Sequence, residues 1–142
     1  MTKPNASKKI VFYADDDEDD LEFVRESFLE QVSDIQLICF SNAVELLQFI
    51  HTRKSHEPLP CLIILDINMP LLNGKEALRL LRTMDRYEEV PVVLFSTSSS
   101  PHDFYFARHY HADFFTKPLS SKQMDTIIEK FIDYCNERVK AG

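Results

Sequence analysis

The stretch LDINMP at residues 65–70 follows directly on the apolar run CLIIL at residues 61–65. The short length of that run, its β-branched residues and the flanking prolines favour a buried strand over a helix. The strand ends in an acid, Asp66, and polar residues then form a loop. In open parallel sheets, ligands bind at the carboxyl ends of the strands. Asp66 is therefore a candidate functional residue, although an aspartate that caps the next helix would give the same local pattern.

Composition limits the class of protein. The chain has 142 residues and is 44% hydrophobic, which suits one domain with a single core. Its formal net charge of -7 argues against a nucleic-acid-binding surface, which needs a basic face. The sequence shows no secretory signal and no apolar run of membrane-spanning length, so we expect a soluble cytoplasmic protein. The cysteines Cys39, Cys61 and Cys135 are odd in number and lie in apolar segments, which predicts reduced core thiols rather than a disulfide or a zinc site.

The hydrophobic pattern alternates between strands and helices along the chain. After a flexible polar tail at residues 1–9, apolar runs predict five strands, at residues 10–14, 35–40, 61–65, 91–95 and 113–116. The apolar spacing after each strand predicts a helix, at residues 18–32, after Asn42, after Gly74, at residues 101–110 and after Ser120 or Ser121. Apolar strands separated by amphipathic helices imply a parallel sheet covered on both faces. The prediction is one α/β domain over residues 10–140.

Polar side chains follow the strands of this sheet at the points where they end. Asp15 and Asp16 follow the first strand, Asp66 the third, Ser96 the fourth and Lys117 the fifth. Three neighbouring carboxylates repel one another unless a hard cation neutralises them, and Mg²⁺ prefers oxygen ligands. A lysine and a hydroxyl beside the central aspartate would hold anionic oxygens. The pattern predicts a divalent-metal site and suits a phosphoryl group carried by Asp66.

This set of residues resembles the receiver domain of two-component response regulators, of the free-standing chemotaxis type, from about residue 10 to about residue 139. The matching pieces are the acidic pair after the first strand, LDINMP with Gly74 four residues past Pro70, Ser96, and Lys117 followed by proline. The resemblance implies a flavodoxin-like doubly wound fold whose five parallel strands have the order 2-1-3-4-5. One departure is the segment YHA at residues 110–112, where the family usually has Gly-Ala before the fifth strand.

The resemblance also implies a phosphoacceptor and a metal site. Asp66 is the expected phosphoacceptor. Asp16 would bind Mg²⁺ or Mn²⁺ directly and Asp15 through water, while Asp66 and the backbone carbonyl of Asn68 would complete the protein ligands. Asn68, two residues past Asp66, stands at a position that influences how fast water removes the phosphoryl group.

Further roles follow from the same resemblance. Lys117 and Ser96 would each contact a phosphoryl oxygen, and a cis Lys117–Pro118 peptide would aim the ammonium inward. Phe114 stands where the family has a switch aromatic, but it lacks the hydroxyl of a tyrosine. Ser98, two residues past Ser96, is expected to tune hydrolysis together with Asn68.

The implied function is phosphoryl relay. A sensor histidine kinase or a histidine phosphotransfer protein would donate the phosphoryl group. Since no output domain follows residue 142, the signal would pass to another protein, through the face formed by the fourth helix, fifth strand and fifth helix, and not to nucleic acid or membrane. Homodimerisation on phosphorylation stays open. We expect no enzyme in the usual sense, although autophosphorylation from small phosphodonors and autodephosphorylation are expected.

The aromatics Phe104, Phe106 and Tyr110 are interpreted mainly as core, with one outward ring as a partner anchor.

The acids after the first strand have other interpretations. The run at residues 17–20 is interpreted as a solvated helix start, because helix N-termini favour acids. With Asp15 and Glu26 it imitates the spacing of an EF-hand loop, but Asp20 stands at the glycine position and a strand precedes it. The histidines match no usual set of metal ligands: His102, His109 and His111.

Three other classes of protein share parts of the pattern. A flavodoxin-like cofactor protein would need a Ser/Thr/Gly-rich phosphate cradle where this chain has carboxylates. A phosphohydrolase that forms an aspartyl phosphate would need an acid two residues after the nucleophile, where Asn68 stands. A pseudo-receiver that only docks partners is disfavoured because all five polar positions are filled.

Overall fold

Five strands and five helices alternate in the computed structural model, which describes residues 8–32, 34–97 and 100–141. In chain order they are β1 (Lys9–Ala14), α1 (Glu18–Gln31), β2 (Ile35–Phe40), α2 (Ala43–Thr52), β3 (Leu62–Leu65), α3 (Gly74–Leu81), β4 (Val92–Ser96), α4 (Pro101–His109), β5 (Asp113–Thr116) and α5 (Ser121–Ala141). The predicted strands differ from these bounds by one residue at most. The tail predicted at residues 1–9 lies outside the described residues except for Lys8 and Lys9, and Lys9 already belongs to β1. None of the described helices is long and apolar enough to cross a membrane.

All five strands are parallel and have the order β2-β1-β3-β4-β5, which confirms the predicted fold class. The register aligns the carboxyl ends of the central strands, because Ala14 of β1 lies opposite Leu65 of β3 and Leu65 lies opposite Leu94 of β4. The pairing continues beyond the strands, since the Asp66 N–H donates to the Ala14 carbonyl at 3.0 Å. Residues that directly follow the strands therefore lie along one edge of the sheet.

The sheet is covered on both faces, as the apolar pattern predicts. Alternate residues of each strand point to opposite faces, so the strands contribute to two core layers. One layer packs the sheet against α2, α3 and α4, and the other packs it against α1 and α5. In β1, for example, Phe12 belongs to the first layer and Tyr13 to the second, and both are fully buried.

Two helices near the sheet edge begin at side-chain caps. The Asp17 side chain accepts hydrogen bonds from the backbone N–H groups of Asp19 and Asp20 at the start of α1. The Asn73 side chain accepts one from the Glu76 N–H at the start of α3. Such caps satisfy backbone donors that the first helical turn leaves free. They fix where each helix starts after the loop that follows β1 or β3.

The prediction of three reduced cysteines is wrong for two of them. Cys61, directly before β3, and Cys135, on α5, form a disulfide with a Cα–Cα distance of 4.9 Å. The two residues are 74 positions apart and meet because α5 packs against the sheet in the layer that contains Cys61. No spacing in the sequence signals such a pair. Cys39 is a free, half-buried thiol.

The aromatic helix α4 is less buried than its sequence indicates. Phe104 is 46% exposed and Tyr105 is 70% exposed, while Phe106 and Tyr110 are partly buried against the first layer. Phe106 and Tyr110 thus pack against the core, and Phe104 is the one outward ring that the sequence analysis allowed for. The buried positions of this helix are Asp103 and Ala107, which leaves the large rings at its sides.

The loop before β5 contains a left-handed residue. His111 has φ 55°, in the region that glycine adopts at least cost. The Arg82 side chain holds the loop by donating to the Tyr110 carbonyl at 2.7 Å and to the His111 carbonyl at 3.0 Å. This segment, YHA, is the one that departs from the Gly-Ala of the resembled family.

Candidate functional site

Three carboxylates lie together at the carboxyl edge of the sheet. One carboxylate oxygen from each of Asp15, Asp16 and Asp66 lies within 4.8 Å of the other two, and within the described ranges this is the only cluster of three or more such ligand-bearing residues. Asp15 and Asp66 are buried and Asp16 is exposed. The site is therefore a buried pair of acids that opens to solvent through the third.

Burial, more than any other factor, raises the pKa of Asp66 to about 7 from its ordinary 3.8. The charge of Asp15 raises it further, Lys117 acts in the opposite direction, and Asp16 adds a smaller increase. The carboxylate that is expected to act as a nucleophile is therefore difficult to keep ionised beside its neighbours. An additional positive charge at this point would relieve that cost.

Asp15 accepts hydrogen bonds on both of its carboxylate oxygens. Its Oδ2 accepts from the Tyr13 hydroxyl at 2.6 Å and lies 2.7 Å from the Lys117 ammonium, while its Oδ1 accepts from the Asp17 N–H at 3.0 Å. Burial and the charge of Asp15 raise the pKa of Tyr13, which keeps the hydroxyl protonated and donating. Tyr13 is not among the predicted site residues, although residues two apart on a strand share a face and Tyr13 precedes Asp15 by two.

Lys117 lies among three carboxylates. Its Nζ is 2.7 Å from Asp15 Oδ2, 2.7 Å from Asp20 Oδ2 and 3.6 Å from Asp66 Oδ2. Burial by itself lowers the pKa of Lys117, but the hydrogen bonds to Asp15 and Asp20 outweigh it and raise the pKa overall. Asp20 is thus an ion-pair partner of Lys117, whereas its place in the acidic run predicted a solvated helix start. Nothing in the sequence alone distinguishes it from Asp19.

The expectation of a cis Lys117–Pro118 peptide is wrong. No peptide bond between described residues is cis. The Lys117 N–H donates to the Ser96 carbonyl at 2.8 Å, which extends the pairing of β4 with β5 by one residue. That bond places Lys117 at the sheet edge, and its long side chain reaches the carboxylates from there.

Ser96 is the last residue of β4 and is completely buried. Its Oγ has no hydrogen-bond partner among the residues that the structure describes. A buried hydroxyl without a partner costs on the order of 1–3 kcal/mol, so such groups are rare unless a ligand satisfies them. Ser98, predicted to tune hydrolysis, lies outside the described residues.

The loop after Asp66 needs a glycine at residue 74. The Gly74 N–H donates to the Ile67 carbonyl at 2.9 Å, and a Cβ on Gly74 would lie 2.1 Å from the Asp66 carbonyl oxygen. Any side chain there would displace the backbone that carries Asp66. Asn68, in the same loop, is exposed.

Phe114 and the histidines lie in different environments. Phe114 pairs with Leu94 in the register of β4 and β5 and packs, partly buried, against the first core layer. His102, His109 and His111 are all exposed, and none belongs to the carboxylate cluster.

The residues at this edge fit a hard divalent cation beside an anionic ligand. Carboxylate oxygens are the ligands that Mg²⁺ and Mn²⁺ take in proteins, and Asp16 keeps the cluster open to solvent. The Lys117 ammonium, 3.6 Å from Asp66, and the unpartnered Ser96 hydroxyl at the end of the neighbouring strand are donors suited to anionic oxygens. The fold and the site define a doubly wound α/β domain with a cluster of acids and a lysine at the carboxyl ends of its strands.

The chain belongs to the response regulator receiver domain family, whose sequence model matches residues 11–129. It is a receiver domain of two-component signalling. Domains of this family are phosphoacceptor signalling proteins, which bind a divalent metal and interact with histidine kinases or phosphotransfer proteins.

Individual response regulators are similar to this chain in sequence and in structure. Response regulator Rcp1 of Synechocystis is 24% identical over 142 residues, which cover 98% of this chain and 97% of that protein. The structure of the Mn²⁺-bound form of Rcp1 aligns with a TM-score of 0.75 at 25% identity and covers 86% of this chain and 90% of that one. The phosphorylated cyanobacterial phytochrome response regulator RcpA aligns with a TM-score of 0.79 at 22% identity, over 89% and 93% of the two chains, and supports the fold alone. Several further relatives are longer proteins, of which this chain covers between 7% and 50%.

Proposed function

We propose that the protein accepts a phosphoryl group on Asp66 in a Mg²⁺-dependent reaction and relays the signal by contact with another protein. The donor is the phosphohistidine of a sensor histidine kinase or of a histidine phosphotransfer protein. The observation that carries the proposal is the position of Asp66, which is buried between two further carboxylates and a lysine ammonium 3.6 Å away. A relative of similar length, Rcp1, has been solved with Mn²⁺ bound, which supports a divalent ion at the corresponding acids.

The transfer is a substitution at phosphorus. A carboxylate oxygen of Asp66 attacks the phosphorus, the new O–P bond forms, and the P–N bond to the donor histidine breaks. The electron pair of that bond stays on the imidazole nitrogen, which takes a proton from solvent. The protein contributes mainly position and charge, as in other phosphoryl transfers.

The three acids are proposed to bind the metal ion in different ways. We assign Asp16 and Asp66 as direct ligands, together with the backbone carbonyl of Asn68. Asp15 is assigned to hold the ion through water, because both of its oxygens already accept bonds from Tyr13, Asp17 or Lys117. When bound, the ion supplies positive charge that neutralises the carboxylates and stabilises the transferring phosphoryl oxygens.

Lys117 and Ser96 are the proposed partners of the phosphoryl oxygens. The ammonium is already within 3.6 Å of Asp66, and the Ser96 hydroxyl would gain the acceptor that it lacks. Movement of Ser96 toward the phosphoryl group would free space for Phe114, which has no hydroxyl to fix an inward position. The outer face of α4, β5 and α5, where Phe104 and Tyr105 are exposed, would change as a result and present the signal to a downstream protein.

Return to the resting state needs hydrolysis. Asn68 is exposed in the loop after Asp66, where it can influence the approach of water to the phosphoryl group. We propose autodephosphorylation and autophosphorylation by small phosphodonors as intrinsic activities of this site.

Intact mass spectrometry tests the phosphoacceptor. The protein is incubated with Mg²⁺ and either acetyl phosphate or phosphoramidate, whose P–N bond resembles that of phosphohistidine. A single phosphoryl adduct is expected on the wild type and on Asp85→Ala, a control for an exposed acid in the turn after α3. No adduct is expected on Asp66→Ala or when EDTA replaces Mg²⁺. An unmodified wild type, or an undiminished adduct on Asp66→Ala, would overturn the proposal.

A further inference from the structure

The Lys117 ammonium forms ion pairs with two acids that differ in burial. The distances to Asp15 and Asp20 are equal, at 2.7 Å, but the Asp15 side chain is fully buried and the Asp20 side chain is 30% exposed. Asp20 lies in the first turn of α1, and its carboxylate is not needed as a helix cap because Asp17 caps that helix. The pairing with Lys117 is therefore the interaction that the structure gives to the Asp20 side chain.

We infer that Asp20 is a positioning residue that holds Lys117 in a resting place and opposes the phosphorylated state. The inference rests on the proposed phosphorylation of Asp66. A phosphoryl oxygen on Asp66 would need the ammonium that Asp20 and Asp15 now share. Asp20 competes with that oxygen for Lys117, and its own negative charge also repels the incoming dianion.

When Lys117 turns toward a phosphoryl oxygen, we infer that it leaves Asp20 and not Asp15. A buried carboxylate that loses an ionic partner is left with an uncompensated charge, which is costly. Asp15 would keep the hydrogen bonds from Tyr13 and Asp17, but its side chain is fully buried and has no exposed surface on which bulk water could replace the ammonium. Asp20 regains water when the ammonium leaves, because part of its side chain already faces solvent. Lys117 can thus turn toward Asp66 while it keeps Asp15.

The expected effect of Asp20→Asn is tighter binding of a phosphoryl analogue. Beryllofluoride adds to the acceptor carboxylate without a covalent P–O bond, so its affinity, measured by isothermal titration at saturating Mg²⁺, reports on the phosphorylated arrangement alone. Loss of a partly exposed ion-pair competitor should raise that affinity about fivefold. The same substitution should leave Mg²⁺ affinity unchanged or weaker, because it removes negative charge near the cation. A merely structural defect would weaken both.

Two variants serve as controls. Asp19→Asn makes the same change in net charge one residue away, at an exposed acid that does not pair with Lys117. Asp20→Glu keeps the carboxylate and should restore an affinity close to that of the wild type. Thermal unfolding of each variant, with Asp20→Ser as a second neutral substitution, checks that the fold is retained.

The results separate this inference from the proposed function. Tighter beryllofluoride binding in Asp20→Asn and Asp20→Ser, but not in Asp19→Asn or Asp20→Glu, supports the inference. Equal or weaker binding in Asp20→Asn, compared with Asp19→Asn, overturns it while the wild type still binds the analogue and forms the acetyl phosphate adduct. A wild type that does neither overturns the proposed function itself.

Discussion

Replacement of Asp66 by asparagine should stabilise the metal-free protein at pH 8. Burial, with Asp15 and Asp16 acting in the same direction and Lys117 against them, raises the pKa of Asp66 to about 7 from 3.8. Each pKa unit corresponds to about 1.4 kcal/mol, so keeping this carboxylate ionised costs the folded state as much as about 4 kcal/mol. Asparagine has nearly the same shape and no charge. We therefore expect the free energy of unfolding to rise by about 2–4 kcal/mol.

The pH dependence has a defined sign. Because the pKa of Asp66 is higher in the folded protein, the folded state holds a proton that the unfolded state has lost between about pH 4 and pH 7. The contribution of this group to stability is complete below pH 4 and is lost as the pH rises through 7. The advantage of Asp66→Asn should therefore be small at pH 4 and reach its full size at pH 8.

Urea denaturation in EDTA, followed by circular dichroism at both pH values, measures the effect. Asp85→Asn is the matched control, since it removes an exposed carboxylate outside the cluster and should change stability by less than about 0.5 kcal/mol. Addition of Mg²⁺ at pH 8 should stabilise the wild type more than Asp66→Asn. The reasoning is refuted if Asp66→Asn is no more stable than the wild type at pH 8 in EDTA, or if Asp85→Asn gains as much.

Three further predictions concern stability. Tyr13→Phe removes the 2.6 Å hydrogen bond to the buried Asp15 and should lower the free energy of unfolding by about 1.5–3 kcal/mol in urea denaturation; an unchanged midpoint would show that Asp15 does not depend on it. His111→Gly relieves a left-handed residue at φ 55° and should raise the melting temperature by the equivalent of about 0.5–1 kcal/mol, whereas a decrease would contradict the strain argument. Reduction of Cys61–Cys135, which are 74 residues apart, should lower stability by about 2–4 kcal/mol; equal melting with and without reductant would refute it.

The fold and the gathering of polar residues at one edge could be predicted because both follow from patterns along single strands. Each apolar run is short and ends in a polar residue, and parallel strands align their carboxyl ends, so Asp15, Asp66 and Lys117 had to meet. The bounds of β2 and β5 were predicted to the residue, because turn-forming or polar residues flank both apolar runs. Local patterns were sufficient for these features.

The remaining features depend on contacts that a sequence pattern does not specify. The disulfide joins the start of β3 to α5, and only the packing of that helix against the sheet brings Cys135 to Cys61. Asp19 and Asp20 are neighbours with the same chemistry, yet the helix turns only Asp20 toward Lys117. Tyr13 was predicted as core, and it is buried, but its hydroxyl matters because of the buried acid two residues further on. Helix packing and side-chain direction in the folded chain determine these three contacts.

The charge balance of the site connects these observations. When all groups are ionised, the acids Asp15, Asp16, Asp20 and Asp66 exceed the single Lys117 ammonium by three negative charges. A divalent cation reduces the excess to one, and a dianionic phosphoryl group on the acceptor increases it again. Among the acids paired with Lys117, Asp20 has the most exposed side chain, so we infer that it is the one able to give up the ammonium as charge is added. In the proposed mechanism, the ion pairs of Lys117 and the excess negative charge around it would account both for the need for a metal ion before phosphoryl transfer and for a resistance to the phosphorylated state.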